Sequence, residues 1–144
     1  MYERCLKLAP DHADAVDNLA KALRESSQLP AAEAAYRRLL KLRPDSADAH
    51  YRLGLTLKDQ GNYVAAAESF RQAIGMRADH VDARNHLGID LLALGRPAEA
   101  ATVFEQAIKL NPTFSPGYCN LGSALRELGR LDEALAACRK ALAI

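Results

Sequence analysis

A chain of 144 residues that is 49% apolar can bury one core, and the dominance of Ala and Leu, with Trp absent, favours helices over a sheet. The formal net charge of +1 leaves no global field to draw in nucleic acid or an anionic membrane. No apolar run approaches the roughly 20 residues that span a bilayer. The opening Met1-Tyr2-Glu3-Arg4-Cys5 has no signal-peptide core. Cys5, Cys119 and Cys138 form no CxxC, and an odd, scattered set of thiols points to a reducing, cytoplasmic compartment.

In chain order, residues 2–10 read as the end of a helix closed by Pro10. Four pairs of amphipathic segments follow. First helices are expected near 13–26, 47–60, 81–94 and 115–128, and second helices near 30–42, 63–76, 97–110 and 131–143. In the last pair, Tyr118, Leu121, Leu125 and Leu128 share one face. After Gly129, Leu131, Ala134, Leu135, Cys138 and Leu142 share another. Gly61, Gly95 and Gly129 fit helix ends that need positive φ, with Ser27 at the corresponding point of the first pair. Pro44 and Pro112 fit helices that must stop, and Pro30, Pro97 and Pro116 fit helix starts.

One period of 34 residues organises all of this. It superposes Leu19, Leu53, Leu87 and Leu121, then Leu23, Leu57, Leu91 and Leu125, then Ala32, Ala66, Ala100 and Ala134. Such a grid predicts an all-α chain of tandem antiparallel helix hairpins, one domain over 1–144. Its parts would be the end of a preceding repeat (1–12) and repeats at 13–46, 47–80, 81–114 and 115–144. Because the chain opens within a repeat and ends at Ile144 on the same column as Leu8, it is expected to be a piece of a longer array. Core columns hold Cys5 and Cys138, while Lys58 falls on a stretch expected to be exposed.

These columns resemble the tetratricopeptide repeat family, whose signature runs W-x2-L-G-x2-Y, A-x3-F, P. The second unit reads His50-x2-Leu53-Gly54-x2-Leu57 and Ala66-x3-Phe70. The third reads Arg84-x2-Leu87-Gly88-x2-Leu91 and Ala100-x3-Phe104. The fourth reads Tyr118-x2-Leu121-Gly122-x2-Leu125 and Ala134-x3-Cys138, and the first Val16-x2-Leu19-Ala20-x2-Leu23 and Ala32-x3-Tyr36. Details such as Asn120-Leu121-Gly122 are similar to repeats of O-linked N-acetylglucosamine transferases and bacterial scaffold proteins. The resemblance implies a right-handed α-solenoid whose first helices line a concave groove for a peptide or a partner helix.

On the first helices, the face opposite the Leu columns carries the candidate contacts Asn18, Lys21, Arg52, Leu55, Asn85, His86, Ile89, Asn120 and Ser123. Leu55 and Ile89 form an apolar strip, flanked by Leu92 and rimmed by Arg52, Asn85 and His86, that suits a short amphipathic ligand. A second possibility is that neighbouring first helices partly cover the strip. Asp14, Asp48 and Asp82 repeat in three first turns, where a carboxylate complements the helix dipole or forms an acidic rail. The family's carboxylate clamp would fall on Asp17, Lys21, Arg52, Asp82 and His86, of which only Lys21 and Arg52 keep the required charge. The asparagine ladder of the transferase type is matched by Asn18 and Asn120 but not by Arg52 or His86.

Nothing in the pattern forms a catalytic constellation, a metal site or a cofactor loop. His86 and Asp90 are spaced for a hydrogen bond within one helix, and no nucleophile accompanies them. The leading expectation is therefore a non-enzymatic module with a protein or peptide partner, no nucleic-acid binding and no membrane insertion. Two rivals are a scaffold that self-assembles head-to-tail through apolar ends, and the substrate-selecting arm of a glycosyltransferase.

Overall fold

The computed structural model describes residues 12–144, so the helix end read over 2–10, with Cys5, Leu8 and Pro10, lies outside the described residues. Those residues form eight α-helices: α1 Ala13–Glu25, α2 Leu29–Leu42, α3 Ala47–Asp59, α4 Tyr63–Met76, α5 Val81–Ala93, α6 Pro97–Leu110, α7 Ser115–Glu127 and α8 Leu131–Leu142. The eight helices predicted over 13–143 are present, with their ends within about a residue of the periodic pattern. The chain divides into two compact units, one ending at Met76 and the other Arg77–Ile144. In the first, α1 packs on α2, α2 on α3 and α3 on α4. In the second, α5 packs on α6, α6 on α7, α7 on α8 and α5 on α7.

The glycine and aromatic columns explain how each hairpin closes. A Cβ on Gly54 would lie 2.7 Å from Phe70 Cε1, and one on Gly88 would lie 2.4 Å from Phe104 Cε1. Only a glycine lets the first helix approach the ring of the second this closely. Tyr36, Phe70 and Phe104 are each 0% exposed. Cys138 stands in the same column and was expected in the core, but it is exposed. Its sulfur lies beside Gly122, and nothing among the described residues packs over the outer side of α8. Lys58 departs from expectation in the opposite sense, being half-buried and engaged with a partner.

The turns inside the hairpins share one geometry. Gly61, Gly95 and Gly129 take φ of +78°, +69° and +75°. The next amide in each case (Asn62, Arg96, Arg130) reaches back to the carbonyl of Leu57, Leu91 or Leu125 at 2.9 Å. This is the Schellman closure, which satisfies carbonyls orphaned at the helix end. Ser27 is forced into the same turn with φ +60°, and a side chain there costs about 1–2 kcal/mol. Allowing for the greater freedom glycine loses on folding, Ser27→Gly is expected to stabilise the chain by about 0.5–1 kcal/mol. A thermal melt checks this, and a lower melting temperature would contradict it.

Helix starts follow the sequence signals. Ser46 Oγ accepts from the amide of Ala49 at 3.2 Å, and Asn62 Oδ1 from that of Ala65 at 3.2 Å. Pro30, Pro97 and Pro116 occupy first-turn positions where a missing N–H costs nothing.

Candidate protein-binding face

In the unit that ends at Met76, the candidates stand on α1 and α3. Asn18 is exposed, whereas Lys21, Arg52 and Leu55 are half-buried. Lys21 is ion-paired with Asp17 one turn before it, so its charge is largely compensated. The backbone carbonyl of Arg52 accepts from Thr56 Oγ1 at 2.9 Å. Burial pushes the Tyr36 phenol above its usual range, and the positive charge of Arg52 partly opposes that. The chelate-like pair of Arg24 with Asp59, at 2.8 and 3.2 Å, ties the end of α1 to the end of α3. Such exposed pairs contribute below about 1 kcal/mol, yet they hold neighbouring first helices in register. Gln60 adds bonds to the carbonyl of Leu29 at 3.2 Å and to Glu33 at 3.0 Å.

In the unit Arg77–Ile144 the candidates stand on α5 and α7. Asn85, His86, Ile89, Asn120 and Ser123 are all half-buried, as is Leu92 beside them. Asn120 Nδ2 donates to Asn85 Oδ1 at 2.8 Å, a bridge between two first helices. Ser123 Oγ donates to the carbonyl of Cys119 at 3.3 Å, within its own helix. The bridge joins positions one residue out of column, which a strict 34-residue register does not pair.

The acidic residues of the first turns resolve one by one. Asp14 pairs with Arg43 at 2.9 Å, tying the start of α1 to the residue after α2. Asp48 and Asp82 are exposed at the first turns of α3 and α5, where they complement the helix dipole. Asp90, read in sequence as a partner for His86, is 0% exposed. Its column otherwise carries Ala22, Thr56 and Ala124, so burial of a carboxylate there had a faint signal at best. Arg84 is a second residue that sequence reasoning passed over. It holds the column of His50 and Tyr118, and is half-buried with its Nε and Nη1 shut off from solvent.

Among the described residues no helix is long and apolar enough to cross a membrane.

Comparison with known proteins follows the same lines. The family model described as tetratricopeptide repeat matches residues 18–81, 53–117 and 85–144. No curated protein matches in sequence. Among solved structures, the chain is similar to MamA at 27% identity and TM-score 0.94, covering 98% of this chain and 82% of that one. It is similar to YrrB, described as a tetratricopeptide protein with an unusual peptide-binding site, at 26% identity and TM-score 0.84, covering 98% and 73%. A MamA fragment from Desulfovibrio magneticus RS-1 shares the fold at 22% identity and TM-score 0.85, covering 90% and 73%. A family match across most of the chain, hairpins closed glycine-on-aromatic and neighbours that are tetratricopeptide solenoids agree: this all-α chain belongs to the tetratricopeptide repeat family.

Proposed function

We propose that this chain is a protein-interaction module whose first helices hold a peptide or a partner helix, and that it is not an enzyme. The observation that carries the reading is the apolar pair Leu55 and Ile89. They hold equivalent positions on α3 and α5 and are only half-buried, although they lie off the Leu columns that close the hairpins. Leu55 stands one turn from Arg52 on α3 and Ile89 one turn from Asn85 on α5, and an apolar side chain left partly open beside a polar neighbour can be desolvated by a ligand at little cost. The Asn85–Asn120 bridge presents one amide carbonyl and one amide group that can turn to a peptide backbone. The peptide-binding site described for YrrB lends the reading support from a structure of the same family.

The test uses a peptide selected from a displayed library against the wild-type chain. Leu55→Asp and Ile89→Asp should each weaken its binding by at least about tenfold, since burying a carboxylate against an apolar ligand costs more than about 1.4 kcal/mol. Helical content and melting temperature should stay near those of wild type. Loss of fold together with binding would make both residues structural and end this assignment.

A second reading has its own observation. Leu131, Leu135, Leu142 and Ile144 are 63%, 50%, 89% and 50% exposed. With Gly122, Ala134 and Cys138, Leu131 and Leu135 line an open pocket of about 260 Å³. Repeat units bury such a surface against a neighbour, so a second copy stacking head-to-tail is the natural alternative occupant. Light scattering across a wide concentration range separates the two readings: growth with concentration supports stacking, and a constant monomer rejects it.

A further inference from the structure

Arg84 on α5 and Gln106, Lys109 and Leu110 on α6 line a pocket of about 340 Å³. The Nε and Nη1 of Arg84 are closed to solvent and find no hydrogen-bond acceptor among the described residues. Burial lowers the pKa of this guanidinium, and the carboxylate of Asp79 offsets only part of that effect. A half-buried cation with unfilled donors weakens a fold unless something completes its shell. The repeat itself does not call for one, because the same column holds His50 and Tyr118. Conflicts of this kind between packing and chemistry concentrate at functional sites.

The surroundings indicate what would complete the shell. Lys109 and Gln106 are exposed at the rim and add an ammonium and an amide. Arg84 and Lys109 set two cations against the one carboxylate of Asp79, so a single further negative charge balances the site. Leu110, 46% exposed, supplies an apolar wall beside it. We propose that the pocket between α5 and α6 binds one carboxylate of a partner polypeptide, a Glu or Asp side chain next to an apolar residue. Arg84 is the inner donor and Lys109 the outer. The inference rests on the protein-binding reading above but uses residues distinct from Leu55 and Ile89, so each can fail alone.

The experiment titrates the whole isotope-labelled chain with acetyl-Ala-Glu-Leu-amide, its Gln counterpart and sodium phosphate. Signals followed are Arg84 Nε and the amides of Gln106, Lys109 and Leu110. The Glu peptide should shift these signals to saturation and bind at least about tenfold better than the Gln peptide, as loss of a charge-assisted bond implies. Arg84→Met should abolish the shifts while melting no lower than wild type, because an apolar side chain relieves the unfilled donors. Lys109→Gln, at an exposed position, should weaken the Glu peptide with no change in melting. Leu55→Asp should leave this binding intact, which separates failure here from failure of the groove assignment. Equal response to the Glu and Gln peptides would overturn the proposal, as would phosphate acting as strongly as the Glu peptide. So would an Arg84→Met variant that melts lower with Lys109→Gln binding unchanged, since Arg84 would then be structural only.

Discussion

Leu87→Ala should lower stability by about 2–5 kcal/mol, the range for large-to-small changes at buried sites. Leu87 is 5% exposed, and Leu53, its equivalent one repeat earlier, is 6% exposed. Leu53 also borders an open pocket of about 350 Å³ shared with Leu40, His50 and Ser69. Water can enter that space when the side chain is cut back, so Leu53→Ala should fall at the lower end of the range. Glu105 is exposed on α6, and Glu105→Ala should stay within about 0.5 kcal/mol. Lys58 would not serve as this control, because it is half-buried and engaged. Urea melts of the three variants provide the measurement, and equal midpoints would contradict the assigned hairpin register.

Gly88→Ala should be destabilising although alanine is the better helix former. The added Cβ would sit 2.4 Å from Cε1 and 2.6 Å from Cζ of Phe104, far inside the roughly 3.5–4 Å of ordinary carbon contact. Phe104 is 0% exposed, so the ring has no solvent to swing into and α5 must move away from α6. Overpacking of this severity costs about 3 kcal/mol. The helix preference of Ala over Gly returns about 1 kcal/mol, which leaves a net loss of about 2 kcal/mol. Trimming the ring should recover part of it: Gly88→Ala with Phe104→Leu is expected to be less destabilised than the sum of the single changes. Gly122→Ala is the internal comparison. Its added Cβ would meet Cys138 Sγ at 2.8 Å and the backbone oxygen of Ala134 at 3.3 Å; Cys138 is exposed, so its thiol can rotate aside and only the milder backbone contact remains. Denaturant melts should rank Gly88→Ala well below Gly122→Ala, and equal losses would refute the glycine-on-aromatic account.

Much of the fold was legible because one physical requirement repeats. Each hairpin needs Leu at the inner positions of its first helix, a residue that accepts positive φ at its turn (glycine in three hairpins, Ser27 in the first), and a small residue opposite the column of Tyr36, Phe70, Phe104 and Cys138. Those requirements recur every 34 residues and locate all eight described helices. Burial was less legible, since periodicity assigns a face without saying what covers it. Cys138 shares a column with Phe70 and Phe104 yet is exposed, because α7 is the one described helix that packs extensively on α8 and its other side is left open. Leu19, Leu23 and Leu121 hold core columns but are only half-buried.

The candidate residues stand on the first helices, as the periodicity expects, but their hydrogen-bond partners were not legible. Arg52 stands on α3, while the effect of its charge on Tyr36 depends on how α2 meets α3. The bridge from Asn120 to Asn85 joins neighbouring first helices at a one-residue offset that a column analysis discards. Arg84 escaped notice for a related reason: the family's column at that position is aromatic, and nothing in a sequence reports which guanidinium nitrogens lose their solvent.

Methyl-resolved NMR of the wild-type chain with the selected peptide tests the central claim most directly. If the first helices hold the ligand, the methyl signals of Leu55 and Ile89 and the side-chain amides of Asn85 and Asn120 should shift together and saturate at one stoichiometry. The methyls of Val64, Leu131 and Leu142, which are 68%, 63% and 89% exposed on second helices, should stay still. Shifts confined to those second-helix methyls, with Leu55 and Ile89 unmoved at saturation, would contradict the account.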